Sequence, residues 1–313
     1  MDTGAFLEDA LDRLGLTERE ADEFIIYWLP KLEGNPYNLL SFQTEAYTSS
    51  AVLTIDPAPD TLMPGVPGVE GPGRAGGGGA PEADRAGARW LHRRGVGRRG
   101  GSAMKKLLLL LALTLLAAGL AGCGNSSGNV AVPEKPVLYL YPEEEMEVTV
   151  TLDFDGTLTS TYPAYGDGWT VTARPDGTLT NPATGRGYYC LFWEGITEAE
   201  YDFSAGFCVA GEDTAAFLED ALDRLGLTER EADEFIIYWL PKLEGNPYNL
   251  LSFQTEAYTD SAGLTIDPAP DTLIRVFLAW KGLDAPVEVE PQTLTAPERA
   301  DFTAVEWGGA EVD

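Results

Sequence analysis

The sequence predicts an α+β domain, mainly antiparallel β in a sandwich- or barrel-like arrangement, with an inserted αα-hairpin. Three observations predict it. Short apolar runs, several with a period of two, fill residues 137–209. A helical period replaces them over residues 217–240. Strand-like runs return between residues 249 and 307.

Taken in order, VLYLY at Val137–Tyr141 reads as a strand closed by Pro142. EVTVTLDF at Glu147–Phe154 alternates strictly: Val148, Val150, Leu152 and Phe154 share one face, Thr149, Thr151 and Asp153 the other. Asp155-Gly156 is a hairpin-turn pair, with Thr157–Thr161 returning. Trp169–Ala173 is a strand, and Asp176-Gly177 turns it into Thr178–Thr180. Gly187–Trp193 and Phe207–Val209 complete an antiparallel meander.

Phe217, Leu218, Ala221, Leu222 and Leu225 then fall on one helical face, which Gly226 stops. Thr228 and Glu231 stand at capping-box spacing, where hydroxyl and carboxylate each close a free backbone amide. The second helix is expected to run to Leu240 and end at Pro241. The brief connection makes the two helices a hairpin. Strands are expected at Asn249–Gln254, Leu264–Ile266, Leu273–Trp280, Val287–Val289 and Phe302–Trp307.

The first part of the chain lies outside this plan. Residues 2–62 repeat residues 213–273, differing only as Gly4/Ala215, Ser49/Asp260 and Val52/Gly263. Two near-identical copies, rather than several drifted ones, point to a recent tandem duplication of a gene. Residues 63–103 are rich in Gly and Arg and show neither strand nor helix period. The continuation of the second copy, VEVEPQ at Val287–Gln292, can be encoded so that the neighbouring frame spells GGGGAP, which stands at Gly76–Pro81. VEWGG at Val305–Gly309 likewise yields RGVGRR, which stands at Arg94–Arg99. Residues 1–62 thus read as the tail of a sister gene, and 63–103 as its end translated out of frame and disordered.

Met104–Cys123 carries Lys105 and Lys106, an apolar run and then LAGC. That is the order of a secretory signal, and its ending resembles the lipobox of bacterial lipoproteins. The expectation is a signal peptide at 104–122, lipidation at Cys123, a tether over 123–132 and one exported domain over 133–313. The protein would be held on the outer side of a bacterial membrane by the lipid. A transmembrane reading is weaker, since 16 apolar residues fall short of the roughly 20 a spanning helix needs.

From Cys123 onward the chain holds 35 Asp and Glu against 9 Lys and Arg, a net charge of −26. Such a surface repels nucleic acid and anionic headgroups. The only histidine, His92, precedes that region. Ser-His-Asp and Cys-His catalysis and His-ligated zinc are therefore not expected of the domain. The sequence calls for no metal and no cofactor.

Several candidates for chemistry stand beside plainer readings. DFDGTLT at Asp153–Thr159 resembles the first motif of the haloacid-dehalogenase phosphatases. That resemblance implies a nucleophilic Asp153 and a general acid at Asp155, on a parallel strand followed by a helix. The residues themselves read better as a hairpin turn. Cys190 and Cys208 are candidates for a disulfide, worth on the order of 3 kcal/mol, or else two buried thiols. Glu194 beside Trp193 and Glu306 beside Trp307 are candidate acid and base of a glycosidase cleft, or rim residues beside core tryptophans. Tyr188, Tyr189, Trp193, Trp239 and Trp280 could stack on a sugar or fill the core.

KPVLYLYP at Lys135–Pro142, GYYCLFWEG at Gly187–Gly195, NLLSFQTEAY at Asn249–Tyr258 and VEWGG at Val305–Gly309 together resemble an uncharacterised family of bacterial exported and lipoprotein-like proteins. The resemblance covers nearly all of residues 133–312 and implies no activity or site residues. The functional expectation is a lipid-anchored binding or structural module whose protein or glycan ligand the sequence does not name. The alternative is a carboxylate-dependent envelope glycan hydrolase.

Overall fold

The computed structural model describes residues 2–43, 53–56, 66–70 and 132–312. The signal-peptide segment 104–122, Cys123, the tether up to residue 131 and His92 lie outside the described residues.

The chain builds α1 (Thr3–Arg13), α2 (Glu18–Glu33), β1 (Leu39–Gln43) and β2 (Val66–Glu70). After residue 132 come β3 (Glu134–Tyr141), β4 (Met146–Phe154), β5 (Gly156–Tyr162), β6 (Trp169–Ala173), β7 (Leu179–Thr180), β8 (Gly187–Tyr188), β9 (Leu191–Thr197) and β10 (Phe207–Ala210). The second hairpin is α3 (Thr214–Arg224) and α4 (Glu229–Leu243). β11 (Tyr248–Gln254), α5 (Glu256–Ser261), β12 (Ala262–Asp267), β13 (Thr272–Leu283) and β14 (Thr303–Glu311) complete the fold.

Two open sheets share one hydrophobic core, a sandwich rather than a barrel. The larger runs β10-β11-β13-β14-β3-β9-β5 and the smaller β12-β4-β6-β7-β8. All pairs are antiparallel except β13 with β14. β14 is buried from Thr303 to Ala310, because the second sheet covers one face and α4 the other. Trp307 meets Phe235 of α4 edge-on at 5.4 Å. A Cβ on Gly309 would come within 2.7 Å of the Trp239 ring, so glycine there lets α4 settle on the strand.

The α+β class, the hairpin and the alternation of β4 match the sequence. The Thr228–Glu231 capping box forms, with Glu231 accepting the Thr228 N–H at 2.7 Å. Other expectations are corrected. Asp155-Gly156 is not a hairpin turn: β4 belongs to the smaller sheet and β5 to the larger, so the chain crosses between sheets there. Asp155 is tied to the corner by its N–H to the Ser261 carbonyl, 2.8 Å, and its carbonyl to the Thr197 hydroxyl, 2.6 Å. A Cβ on Gly156 would lie 2.2 Å from the Ile196 carbonyl oxygen, a clash that only glycine avoids. The run Gly187–Trp193 likewise divides, giving β8 to one sheet and β9 to the other.

Pro241 does not end α4, which continues to Leu243. The carbonyl it leaves without a donor belongs to Ile237, a residue 75% exposed, so the unpaired group lies on the solvent side of the helix. Val287–Val289 forms no strand; Val287 is exposed, and beside β10 its N–H goes to the Cys208 sulfur rather than to a backbone carbonyl. β2 falls within the stretch expected to lack strands and pairs antiparallel with β1. The helix α5 has no counterpart in the sequence reading.

Candidate functional site

The alternation of β3 sends Lys135, Val137, Tyr139 and Tyr141 to the face that carries the helices. Tyr139 and Tyr141 stack, with centroids 6.2 Å apart and planes at 7°. Tyr189 leans on Tyr139 at 6.1 Å, and Tyr188 lies beside it in sequence. The N-terminal turns of α2 and α4 stand over these rings. Together they enclose a cleft of about 620 Å³, with Glu231, Glu234, Arg230 and Arg299 on its far wall and Glu18 and Arg19 at one end.

The polar groups of the cleft are tightly organised. The Tyr139 hydroxyl donates to Glu234 Oε2 at 2.6 Å. Arg19 pairs with Glu234 and lies 4.4 Å over the Tyr189 ring. Arg299 pairs with the buried Glu231 and donates to the Gly226 carbonyl at 3.0 Å. Glu231 Oε1 is buried without a hydrogen-bond partner. Burial pushes the Glu234 carboxyl up, against the pull of the Tyr139 hydroxyl and Arg19. Burial also holds the Tyr139 and Tyr189 hydroxyls well above the ordinary phenol range. The cleft therefore offers protonated phenols, the edges of largely buried tyrosine rings and paired charges.

The sequence-predicted residues are dispersed. Glu306 is fully buried on the sandwich side of β14. It accepts the Trp193 indole N–H (3.1 Å), the Tyr258 hydroxyl (2.9 Å) and Arg275 Nε (2.8 Å). Every lone pair that matters is engaged, a structural role. Glu194 follows Trp193 on β9 and so projects to the opposite, helix-bearing face, where it accepts the Lys135 N–H at 3.1 Å. Burial raises its carboxyl to about 7 and lowers Lys135 to about 8. Glu194 and Glu306 thus stand on two sides of one sheet and cannot flank a single bond.

Cys190 and Cys208 are both free. Cys190 immediately precedes β9 and Cys208 lies in β10, five strand spacings away in the sheet order. At ~4.8 Å per spacing that is roughly 24 Å, far beyond disulfide reach. The loop between β9 and β10 carries the chain across the sheet, which spacing alone does not reveal.

Asp153 and Asp155 are exposed at the corner between β4 and β5, where β4 runs antiparallel to both its neighbours, without the parallel strand and helix that the phosphatase resemblance implies. Trp193, Trp239 and Trp280 are core; Tyr188 and Tyr189 are buried as well, 7% and 8% exposed, and reach the cleft only with the surface they keep. Sequence reasoning missed Tyr139, Tyr141, Glu234 and Arg299. The VLYLY alternation was the signal for the two tyrosines; Glu234 and Arg299 carry none.

Among the described residues no group of three or more His, Cys, Asp and Glu side chains gathers as a metal cage, and no helix is long and apolar enough to cross a membrane. No family model matches the chain, and no solved structure does. The chain is similar to an uncharacterised protein from the bglA 3′ region of Butyrivibrio fibrisolvens, 42% identical over 95 residues. The match covers 29% of this chain and 97% of that protein. With nearly the whole relative matched at that identity, the chain belongs to the family of this uncharacterised protein.

Proposed function

We propose that the chain is an envelope-anchored binding protein, held by lipid at Cys123, whose tyrosine cleft takes a polyhydroxylated, glycan-like ligand. The observation that carries this reading is the convergence of Tyr139, Tyr141, Tyr188 and Tyr189 with Glu231 and Glu234 on one cleft. The partly buried Tyr141 and the exposed edges of the other rings suit the C–H groups of a pyranose, and fixed carboxylates accept its hydroxyls. The net charge of −26 from Cys123 onward disfavours polyanionic ligands and suits neutral or amino sugars. A chain beginning at Cys123 keeps every tyrosine of the cleft and loses only Glu18 and Arg19. The hydrolase alternative lacks its acid–base pair, since Glu194 and Glu306 face apart.

Calorimetric titration with chito-oligosaccharides tests the binding. Tyr189→Ala and Glu234→Gln should each weaken it, by about tenfold for a loss near 1.4 kcal/mol. Absence of heat with neutral and amino-sugar oligomers alike would sink the glycan reading. Intact mass and peptide mapping of native protein from the membrane fraction test the anchor. A diacylated chain starting at Cys123, without peptides from 63–103, supports both the lipid and the gene-tail reading of the first 103 residues. An uncleaved residue 107–122 segment joined to those peptides overturns both.

A further inference from the structure

The first hairpin, α1–α2, docks on the body by the face that its twin α3–α4 turns to solvent. Ile26 is 1% exposed, whereas Ile237, its counterpart 211 residues on, is 75% exposed. At the centre of the docked face, Arg186 from the loop before β8 enters an acidic socket. Its Nε lies 3.1 Å from Glu8 and its Nη2 2.9 Å from Asp22. The Tyr162 hydroxyl stands 2.9 Å from Glu8 and 3.0 Å from Asp22, and the Gly187 N–H donates to Glu18 at 3.4 Å.

The twin carries the same socket, empty. Glu219, Asp223, Glu229 and Asp233 repeat Glu8, Asp12, Glu18 and Asp22, and with Ile236 they line a cavity of about 250 Å³. No cation among the described residues fills it. The identical sequence elsewhere in the molecule shows what does: an arginine flanked by Tyr162.

A third observation fixes the arrangement. α2 and α4 run side by side, with Arg19 paired to Glu234. Two positions related by the duplication come near their counterparts: Tyr27 is within electrostatic reach of Tyr238, and Lys31 of Lys242. Equivalent residues meeting across a contact are the mark of a two-fold. On its far side α2 presents Phe24 to Phe42 of β1, the duplicate of β11 residues, with ring centroids 6.4 Å apart. The first copy therefore docks by the aliphatic side of α2 and turns toward β1 the aromatic side that the twin buries in the body.

We propose that this face is the interface of a two-fold pair, in which Arg186 of each protomer enters the acidic socket of the other's α3–α4 hairpin. In the 313-residue chain, residues 3–33 occupy the Arg186 seat in cis. The full chain is then monomeric, with its own socket free.

Sedimentation velocity of the full chain tests this. Asp22→Lys with Glu8→Lys should eject the first hairpin, seen as lost amide protection over residues 18–33, and double the sedimenting mass. Adding Asp233→Lys should return the monomer. An ejected hairpin on a chain that stays monomeric, or a dimer that Asp233→Lys leaves intact, overturns the proposal. Should residues 18–33 stay protected, the charge-swapped chain decides. Arg186→Asp repels the first hairpin, and with Asp233→Arg the pair should assemble, whereas Arg186→Asp alone should not. A monomeric double variant overturns the proposal as well.

Discussion

The two hairpins have one sequence and two burials. Both bury the pairs Ala21/Ala232 and Leu32/Leu243, but α2 also hides Asp22, Ile25, Ile26 and Leu29 on the side toward β5 and β8, whereas α4 hides Phe235 and Trp239 on the side toward β14. The counterparts Phe24 and Trp28 are only half-buried, and Asp233 is exposed. Both copies nonetheless form the same helices, with the same capping box closed by Thr17 and Glu20 or by Thr228 and Glu231. Helix formation is decided within the hairpin. The choice of buried face is decided by the surface it meets. An amphipathic helix with two apolar stripes, one aromatic and one aliphatic, can serve both surfaces.

Substitutions at equivalent positions sharpen the comparison, and each can break it. The largest difference is expected at the aromatic stripe. Trp239→Ala should cost about 3–5 kcal/mol in urea unfolding, as removal of a fully buried indole does. Trp28→Ala should cost about 1 kcal/mol or less. Next comes the aliphatic stripe, where the order reverses. Ile26→Ala should weaken amide protection of α2 by about 2–4 kcal/mol, while Ile237→Ala should stay within about 0.5 kcal/mol. Equal losses in either pair would mean that the two copies bury the same face.

The capping carboxylates differ for a third reason. Glu231 is 2% exposed and pairs with Arg299, so Glu231→Ala should cost about 2 kcal/mol by stranding the guanidinium. Glu20 caps in open solvent, and Glu20→Ala should give a much smaller loss of α2 protection. The smallest effect is a slope. Burial, outweighing the Arg186 charge, raises Asp22 from 3.8 to about 7. Between those values the folded protein keeps a proton that the unfolded chain has released. Stability therefore falls as pH rises from about 4 to 7. Asp22→Asn should flatten that slope in α2 protection, and Asp233→Asn should leave it unchanged.

The candidate cleft was only partly legible. Tyr188 and Tyr189 stood out as an aromatic pair, and VLYLY placed Tyr139 and Tyr141 on one face by period alone. Glu234 and Arg299 are separated from those tyrosines by long stretches of chain, and one charged helix or loop residue among many gives no signal of where it points. Glu194 and Glu306 looked alike in sequence, each beside a tryptophan. The strand alternation that sends Trp193 and Glu194 to opposite faces was legible, but the position of β14 between β13 and β3 was not.

By itself, the sequence determined what depends on neighbours a few residues apart: the hairpin, its capping box, the stop at Gly226 and the alternation of β4. The duplication and the acidity of residues 123–313 were equally plain. Tertiary structure alone decided the crossing between sheets at Gly156, the parallel pairing of β13 with β14 and the separation of Cys190 from Cys208. It also decided which stripe each identical helix hides. The reason is physical. Caps and periods are satisfied by bonds within a turn or a strand, whereas a buried face is selected by the area and charge of a surface assembled from distant parts of the chain.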